Sequence, residues 1–300
     1  MSIESIKELC KYFNDFKIEL NNNYDGALYH YTSLPAFESI IHNKTLRFSN
    51  RHYLNDYSEG KYVLDLCIKH IDEICPDDDT YKAKFNAKCN DLKEKMEDNI
   101  FNVYIACFST KKDSLIMWNY YSQNGGLCLE FNNKTMTENM YNKLTSTNKK
   151  QFVFQYGLVI YEKERQLEII KNIVEQFYNK YKQSIRNDWI FCTLQKIIFY
   201  GAFFKHVGFS DEREYRIAFD LAADNGTFYA IEENNEKCIM RLQNRHGMIV
   251  PYVDLSFEAD TLKGVMISPL ASIDKNKLKS WMPEEFKDID IRNSEIPLRY

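Results

Sequence analysis

The sequence predicts an α+β fold, organised as a single domain over residues 1–300 with helical insertions at 60–100 and 163–205. Three observations lead there. Short apolar alternations with a strand period recur along the chain, whereas two stretches, 59–96 and 163–205, carry the helical period. No internal repeat, low-complexity tract or glycine-serine linker marks a boundary between separable units.

Taken in order, apolar Ile6, Leu9, Phe13 and Phe16 predict a helix over residues 4–20, and Asn21 to Gly26 ends it. Ala27 to Tyr31 reads as a strand. Thr32 or Ser33 caps the next helix, Pro35 suits its first turn, and Phe37, Ile40 and Ile41 give it an inward face. Leu46 and Phe48 alternate with Arg47 and Ser49 in a short strand, and a polar loop follows from Asn50 to Asp56.

Helical period returns over 59–74 and 81–96, split at Pro76. Phe101 to Phe108 is a near-continuous apolar run suited to a central strand. Asp113 is placed to cap a helix over 114–121, and Gly125-Gly126 turns into a strand over 127–131. The lysine-rich segment 140–150 reads as a surface excursion. Beyond it, strands are expected at 152–161, 214–219, 227–230, 239–242, 248–254 and 262–267, a helix at 273–281 and an extended end at 289–300.

Composition narrows the function. A 300-residue chain that is 44% hydrophobic supports a full core. Its 21 tyrosines and 20 phenylalanines suit half-buried strands and pocket walls. A formal net charge of -4 argues against sequence-independent coating of nucleic acid. With neither a leader-like N-terminus nor an apolar membrane span, a cytoplasmic protein is expected. The eight cysteines include no Cys-x-x-Cys pair, so structural zinc and a disulfide framework are not expected. Phosphate-loop, dinucleotide-fingerprint and nucleophile-elbow motifs are all missing.

Four blocks stand out. They are Leu28-Tyr29-His30-Tyr31-Thr32 with Leu54-Asn55-Asp56 and Glu59; Cys107-Phe108-Ser109 with Met117 to Tyr121 and Gly126 to Phe131; Lys205-His206 with Glu212 to Arg216; and Ser294 to Arg299. In that order and spacing they resemble an uncharacterised bacterial domain family of unknown function, number 2971, from about Leu28 to the C-terminus. Where that family often has proline after Asn-Asp, this chain has Tyr57.

The first block also resembles the opening of an ADP-ribosyltransferase fold of the His-Tyr-Glu type. That resemblance implies a central, mostly antiparallel split sheet, with NAD as co-substrate and a macromolecular acceptor, in a toxin or phage-defence effector. It implies His30 as the residue holding NAD and Glu214 as the carboxylate on the nicotinamide ribose. The aromatic partner is open among Tyr31, Tyr53 and Tyr57. Thr32, Arg47, Ser49, Arg51, Asn55 and Asp56 complete the expected nucleotide-binding set, the arginines through forked donors to a pyrophosphate. Glu212, two residues from Glu214, is expected on the same strand face, where it would orient an acceptor.

Other readings of the same residues stand beside this one. Asp56, Glu59, Glu212 and Glu214 would suit Mg²⁺ in a hydrolase acting on nucleic acid or nucleotide, and a non-enzymatic ligand-binding module would also use an aromatic cleft. His30 alone reads as a hydrogen-bonded half-core residue, Glu212 to Arg216 as a solvated edge strand, and Asn55-Asp56 as a turn. Trp118, Tyr120 and Tyr121 read as core and wall.

Overall fold

The computed structural model describes residues 20, 24–54, 59–95, 103–123, 125–147, 152–221, 231–233, 236–238, 240–245 and 247–298. The helix expected over 4–20, the strand at 227–230 and residues Asn55, Asp56 and Tyr57 lie outside the described residues, apart from Leu20.

The chain opens with β1 (Ala27–Thr32), α1 (Leu34–Asn43) and β2 (Thr45–Asn50). The expected cap is present: Ser33 accepts from the Ala36 amide, Pro35 lies in the first turn, and Lys44 ends the helix in a left-handed conformation. Helices α2 (Glu59–Lys69), α3 (Ile71–Ile74) and α4 (Asp79–Glu94) follow. Next come β3 (Val103–Ser109), α5 (Leu115–Tyr121) and β4 (Leu127–Asn132).

Residues 140–150 hold no surface loop up to residue 147; they continue α6 (Asn133–Thr147), whose Met136 and Met140 are buried. Of the lysines and asparagines that suggested a loop, Asn142 is exposed on this helix and Lys143 donates to the Ser256 hydroxyl at 2.6 Å, while residues 148–150 lie outside the described residues. Then come β5 (Phe152–Leu158), the long pair α7 (Lys163–Ser184) and α8 (Asn187–Tyr200), and β6 (Glu214–Leu221). A small hairpin of β7 (Ile231–Glu233) and β8 (Glu236–Cys238) precedes β9 (Arg241–Arg245) and β10 (Met248–Ser256). The chain closes with β11 (Leu262–Ile267), α9 (Lys275–Trp281) and β12 (Asp290–Asn293).

Ten of these strands form one open, mostly antiparallel sheet in the order β12-β11-β4-β1-β3-β2-β10-β9, with β6 joining β3 to β5. Only β11 and β12 run parallel within it. Strand β6 pairs with β3 along the whole of Val103–Ser109. A strand has two edges, so β1 and β2 must share the other one. Strand β1 takes its end, at Ser109, and β2 its beginning, at Ile105 and Tyr104. Between them, at Ala106–Phe108, the sheet parts.

Side-chain alternation gives the two sheet faces different covers. Leu46, Phe48, Tyr104, Phe108, Ile217 and Val253 pack with residues of α1, α6 and α9 on one face. On the other, Val103, Ile105 and Ala218 meet a core from α2, α4, α7 and α8. Tyr29 and Tyr31 meet Met117 and Trp118 of α5. Among the described residues, no helix is long and apolar enough to cross a membrane.

Gly126 sits where α5 turns into β4, and a Cβ there would lie 1.9 Å from the Thr32 carbonyl oxygen and 2.7 Å from that of Ser122. Both neighbours are backbone and cannot swing aside. We expect Gly126→Ala to cost about 1–3 kcal/mol, the range for overpacking, measured as a lower urea midpoint at unchanged slope.

A candidate active site where the sheet parts

The divergence of β1 and β2 from β3 opens a cavity of about 180 Å³. His30, Arg47, Ser49, Cys107, Glu212, Glu214 and Arg216 all contribute to its lining. These come from segments up to about 180 residues apart, and the sheet register is what gathers them: Glu214 lies opposite Ser109, which lies opposite Tyr29, and Arg216 lies opposite Cys107.

His30 exploits the parting. Its Nδ1 lies 3.1 Å from the Cys107 carbonyl oxygen, an acceptor in the part of β3 where neither β1 nor β2 pairs. A carbonyl only accepts, so Nδ1 carries the hydrogen and Nε2 is left as the basic nitrogen of a neutral ring. Burial lowers the pKa of His30, and the Cys107 bond offsets this only in part.

Opposite it lies a buried ionic cluster. Lys205 Nζ donates to Glu212 Oε2 at 2.7 Å and to Glu214 Oε2 at 3.3 Å, and Arg216 Nη2 donates to Glu214 Oε2 at 3.0 Å. The four groups are nearly sealed from solvent, with Arg216 1% exposed. For Glu214, burial pushes the carboxyl up, but the Arg216 guanidinium and the Lys205 ammonium together outweigh it and hold the group at about 2. Glu212 goes the other way. Its burial pushes the carboxyl up by more than Lys205 pulls it down. Two carboxylates sharing one lysine are thus driven apart, the pattern by which neighbouring acids acquire different roles.

Backbone contacts fix these groups. The Ser109 hydroxyl donates to the Glu212 carbonyl at 2.7 Å, and the Thr110 amide to that of Arg213 at 2.9 Å. Arg213 itself adopts φ 46°, turning the chain from a short 3-10 helix into β6. Glu212 therefore stands on that helix and not on the strand. It reaches the same lysine as Glu214 through this turn, so strand alternation is not what pairs them. The expected solvated edge is likewise replaced: β6 runs between β3 and β5, with Glu214 and Arg216 buried. Buried Gln166 of α7 donates to the carbonyls of Ile160 (2.7 Å) and Lys205 (3.1 Å), tying the helical pair to the segment that carries the lysine.

The other expected site residues divide. Tyr31 lines the cavity, but its hydroxyl donates to the Lys111 carbonyl at 2.8 Å and its ring meets Trp118 edge-on. Thr32, Arg51 and Tyr53 do not line it. Arg51 points into the core, where Nη1 donates to the Ile198 carbonyl. The chain leaves β2 at Asn50 for a 3-10 turn, which carries Arg51 away from the cavity. Of the four acids expected to suit Mg²⁺, Glu212 and Glu214 enclose Lys205, whose ammonium occupies the position a bridging cation would need. Among the described residues, no group of three or more His, Cys, Asp or Glu is arranged to hold a metal ion.

The lining residues that were not singled out from the sequence as site residues include Lys205, Arg216, Arg245 and Tyr121, whose hydroxyl lies 3.4 Å from Glu212 Oε1. Lys205 and Arg216 shared a block with Glu212 and Glu214, Tyr121 stood in a different block, and Arg245 lay in none. Asp113 does not cap α5. At φ 57° its carboxylate accepts from Trp118 Nε1 (2.7 Å), the Ser294 hydroxyl (2.6 Å) and the Glu295 amide (2.7 Å), tying the last block to the cavity wall.

Residues 117–217, from α5 to β6, match a family described as "Protein of unknown function (DUF2971)", the family that the blocks suggested, over a shorter stretch than the expected Leu28 to the C-terminus. This stretch carries Tyr121, Lys205, Glu212, Glu214 and Arg216, one wall of the cavity. No curated protein and no solved structure matches the chain.

Two outcomes are expected. Lys205→Met leaves Glu212 buried without its cation, and chemical denaturation should register a loss of about 3 kcal/mol, as for one partner of a buried pair. Because the Glu214 carboxyl lies below its ordinary value of 4.5, its stabilisation is complete above that pH and lost as pH falls towards about 2. Glu214→Gln should therefore flatten the fall in melting temperature across that window.

Proposed function

We infer that this chain is an NAD-dependent ADP-ribosyltransferase that modifies a macromolecule, built on a split sheet of the transferase type. One observation carries the reading: a histidine on the first strand and a glutamate on a late strand line the same cavity, at the point where the sheet parts.

The chemistry fits these residues. Breaking the bond between nicotinamide and ribose develops positive charge on the sugar, as in other oxocarbenium-like transition states. Glu214, ionised across the working pH range, supplies a fixed negative group for it. Both of its cations are held on Oε2. A ribose hydroxyl would take the other oxygen, a stronger donor than the Cys107 thiol that also bonds this carboxylate. His30 would accept a nucleotide hydroxyl at Nε2. Glu212, with its raised pKa, is the group suited to take a proton from the acceptor.

The cavity is smaller than the ~300 Å³ at which ligand pockets usually begin. It would hold the nicotinamide-ribose end, leaving the pyrophosphate to Arg47 and Arg245 on its rim. Tyr29, Tyr31 and Tyr121 supply ring faces for the nicotinamide.

Incubation with NAD and a cell lysate should release nicotinamide and label a lysate macromolecule. Glu214→Gln should slow release by a hundredfold or more, roughly the loss when one transition-state electrostatic partner is removed. Equal rates from both proteins, or no release with any acceptor fraction, would rule the reading out.

A further inference from the structure

The sheet face that holds the cavity continues past it, over β2, β10 and β9, to the edge of the sheet. Register places Ser49 beside Tyr252 and Tyr252 beside Arg241, Arg47 beside Asp254, and Arg245 beside Met248. Residues paired in this way share a face. The charged residues that these strands place on this face are therefore three arginines, at 47, 241 and 245, and one carboxylate. Asp254 accepts from Arg47 Nε at 3.1 Å and lies 4.0 Å from Arg241 Nη1. Arg47 is stacked over the Tyr252 ring at 3.8 Å and also donates to Gln243 Oε1 at 2.6 Å.

Strand β9 ends the sheet order, and its outer edge pairs with no strand among the described residues. An edge strand offers a row of backbone donors and acceptors to an incoming extended chain. On the face opposite the arginines, the same hairpin exposes Leu242 (59%) and Ile249 (64%). Large apolar side chains that far out of the core are unusual beside an open edge, because they favour pairing where edge charges discourage it.

We propose that β9 is a docking edge for an extended acidic segment of a partner protein, which adds to the sheet as a further strand. Its acidic residues alternate with apolar ones: the acids face Arg241 and Arg245, and the apolar residues lie on the side of Leu242, with Ile249 one strand further in. Charge complementarity selects this occupant. A second copy of the chain paired antiparallel about Gln243 would set Arg241 against Arg245, a like-charge contact that disfavours self-pairing. A nucleic acid strand would use the guanidiniums but not the edge amides or the apolar side. Because Arg245 also lines the cavity, a segment docked here runs beside the proposed transferase site.

The trial needs no NAD, so its failure is separate from failure of the transferase reading. A fluorescein-labelled peptide of alternating glutamate and valine is titrated with the full-length protein and followed by anisotropy, against lysine-valine and oligothymidylate probes. The acidic peptide should bind, weaken with added salt and slow hydrogen exchange at the amides of residues 241–245. Arg241→Glu with Arg245→Glu should weaken it tenfold or more, and Leu242→Ser should weaken it without changing the salt dependence. None of the three is a buried core side chain, Arg241 and Leu242 being exposed and Arg245 half-buried, so circular dichroism should match the parent. No binding, a preference for oligothymidylate, unchanged binding by the double variant, or concentration-dependent self-association protecting the same amides overturns the proposal.

Discussion

The ion cluster of Glu214, Arg216 and Lys205 is the constraint around which the centre of this structure is arranged. Removing such groups from water costs several kcal/mol per ion, and that cost is offset only when each charge is paired and its remaining donors are satisfied. Arg216 answers part of this demand by donating Nη1 to the Ala202 carbonyl at 2.6 Å while Nη2 holds Glu214. This pins the turn after α8 against β6 and brings Lys205 over the carboxylates. The Tyr161 hydroxyl then accepts from the Glu214 amide at 3.0 Å, and Gln166 holds the Ile160 and Lys205 carbonyls. The α7–α8 pair is therefore part of the site's support.

A second constraint acts on the other wall. Because β6 occupies one edge of β3 from end to end, β1 and β2 must divide the other edge. Their divergence would strand polar backbone in the interior, and buried backbone groups are seldom left unpaired. His30 answers at Cys107. The same hydrogen bond sets the ring's tautomer and directs its basic nitrogen away from that bond, so a backbone requirement and the orientation of a cavity-lining ring are met by one side chain.

The cavity thus has two unlike walls. Cationic partners hold Glu214 fully ionised, while burial biases Glu212 towards its protonated form. Groups with separated proton affinities in one small space suit chemistry in which one carboxylate stabilises charge and the other exchanges a proton. From there the arginine-bearing face extends to the sheet edge, joining the enclosed site to an open surface.

Much of the local structure was legible in the sequence because periodicity and capping act over a few residues. Ser33, Pro35 and the Phe37-Ile40-Ile41 stripe specified α1, the apolar run at 101–108 specified β3, and the helical periods expected at 59–74, 81–96 and 163–205 correspond to helices that begin at 59, 79 and 163 and end at 74, 94 and 200. The polar blocks holding His30, Glu212 and Glu214 were visible for the same reason. Their spatial relation was not. That Glu212 reaches Lys205 from a 3-10 turn, that β6 lies inside the sheet, that Arg51 turns into the core and that Asp113 binds the C-terminal segment all depend on strand order and on contacts across about 100 residues or more, apart from the Glu212 turn, which rests on Arg213 at positive φ. A sequence fixes which side chains share a face of one element; only the pairing of distant strands decides which faces meet, because the free energy that selects the pairing comes from burying the whole core at once.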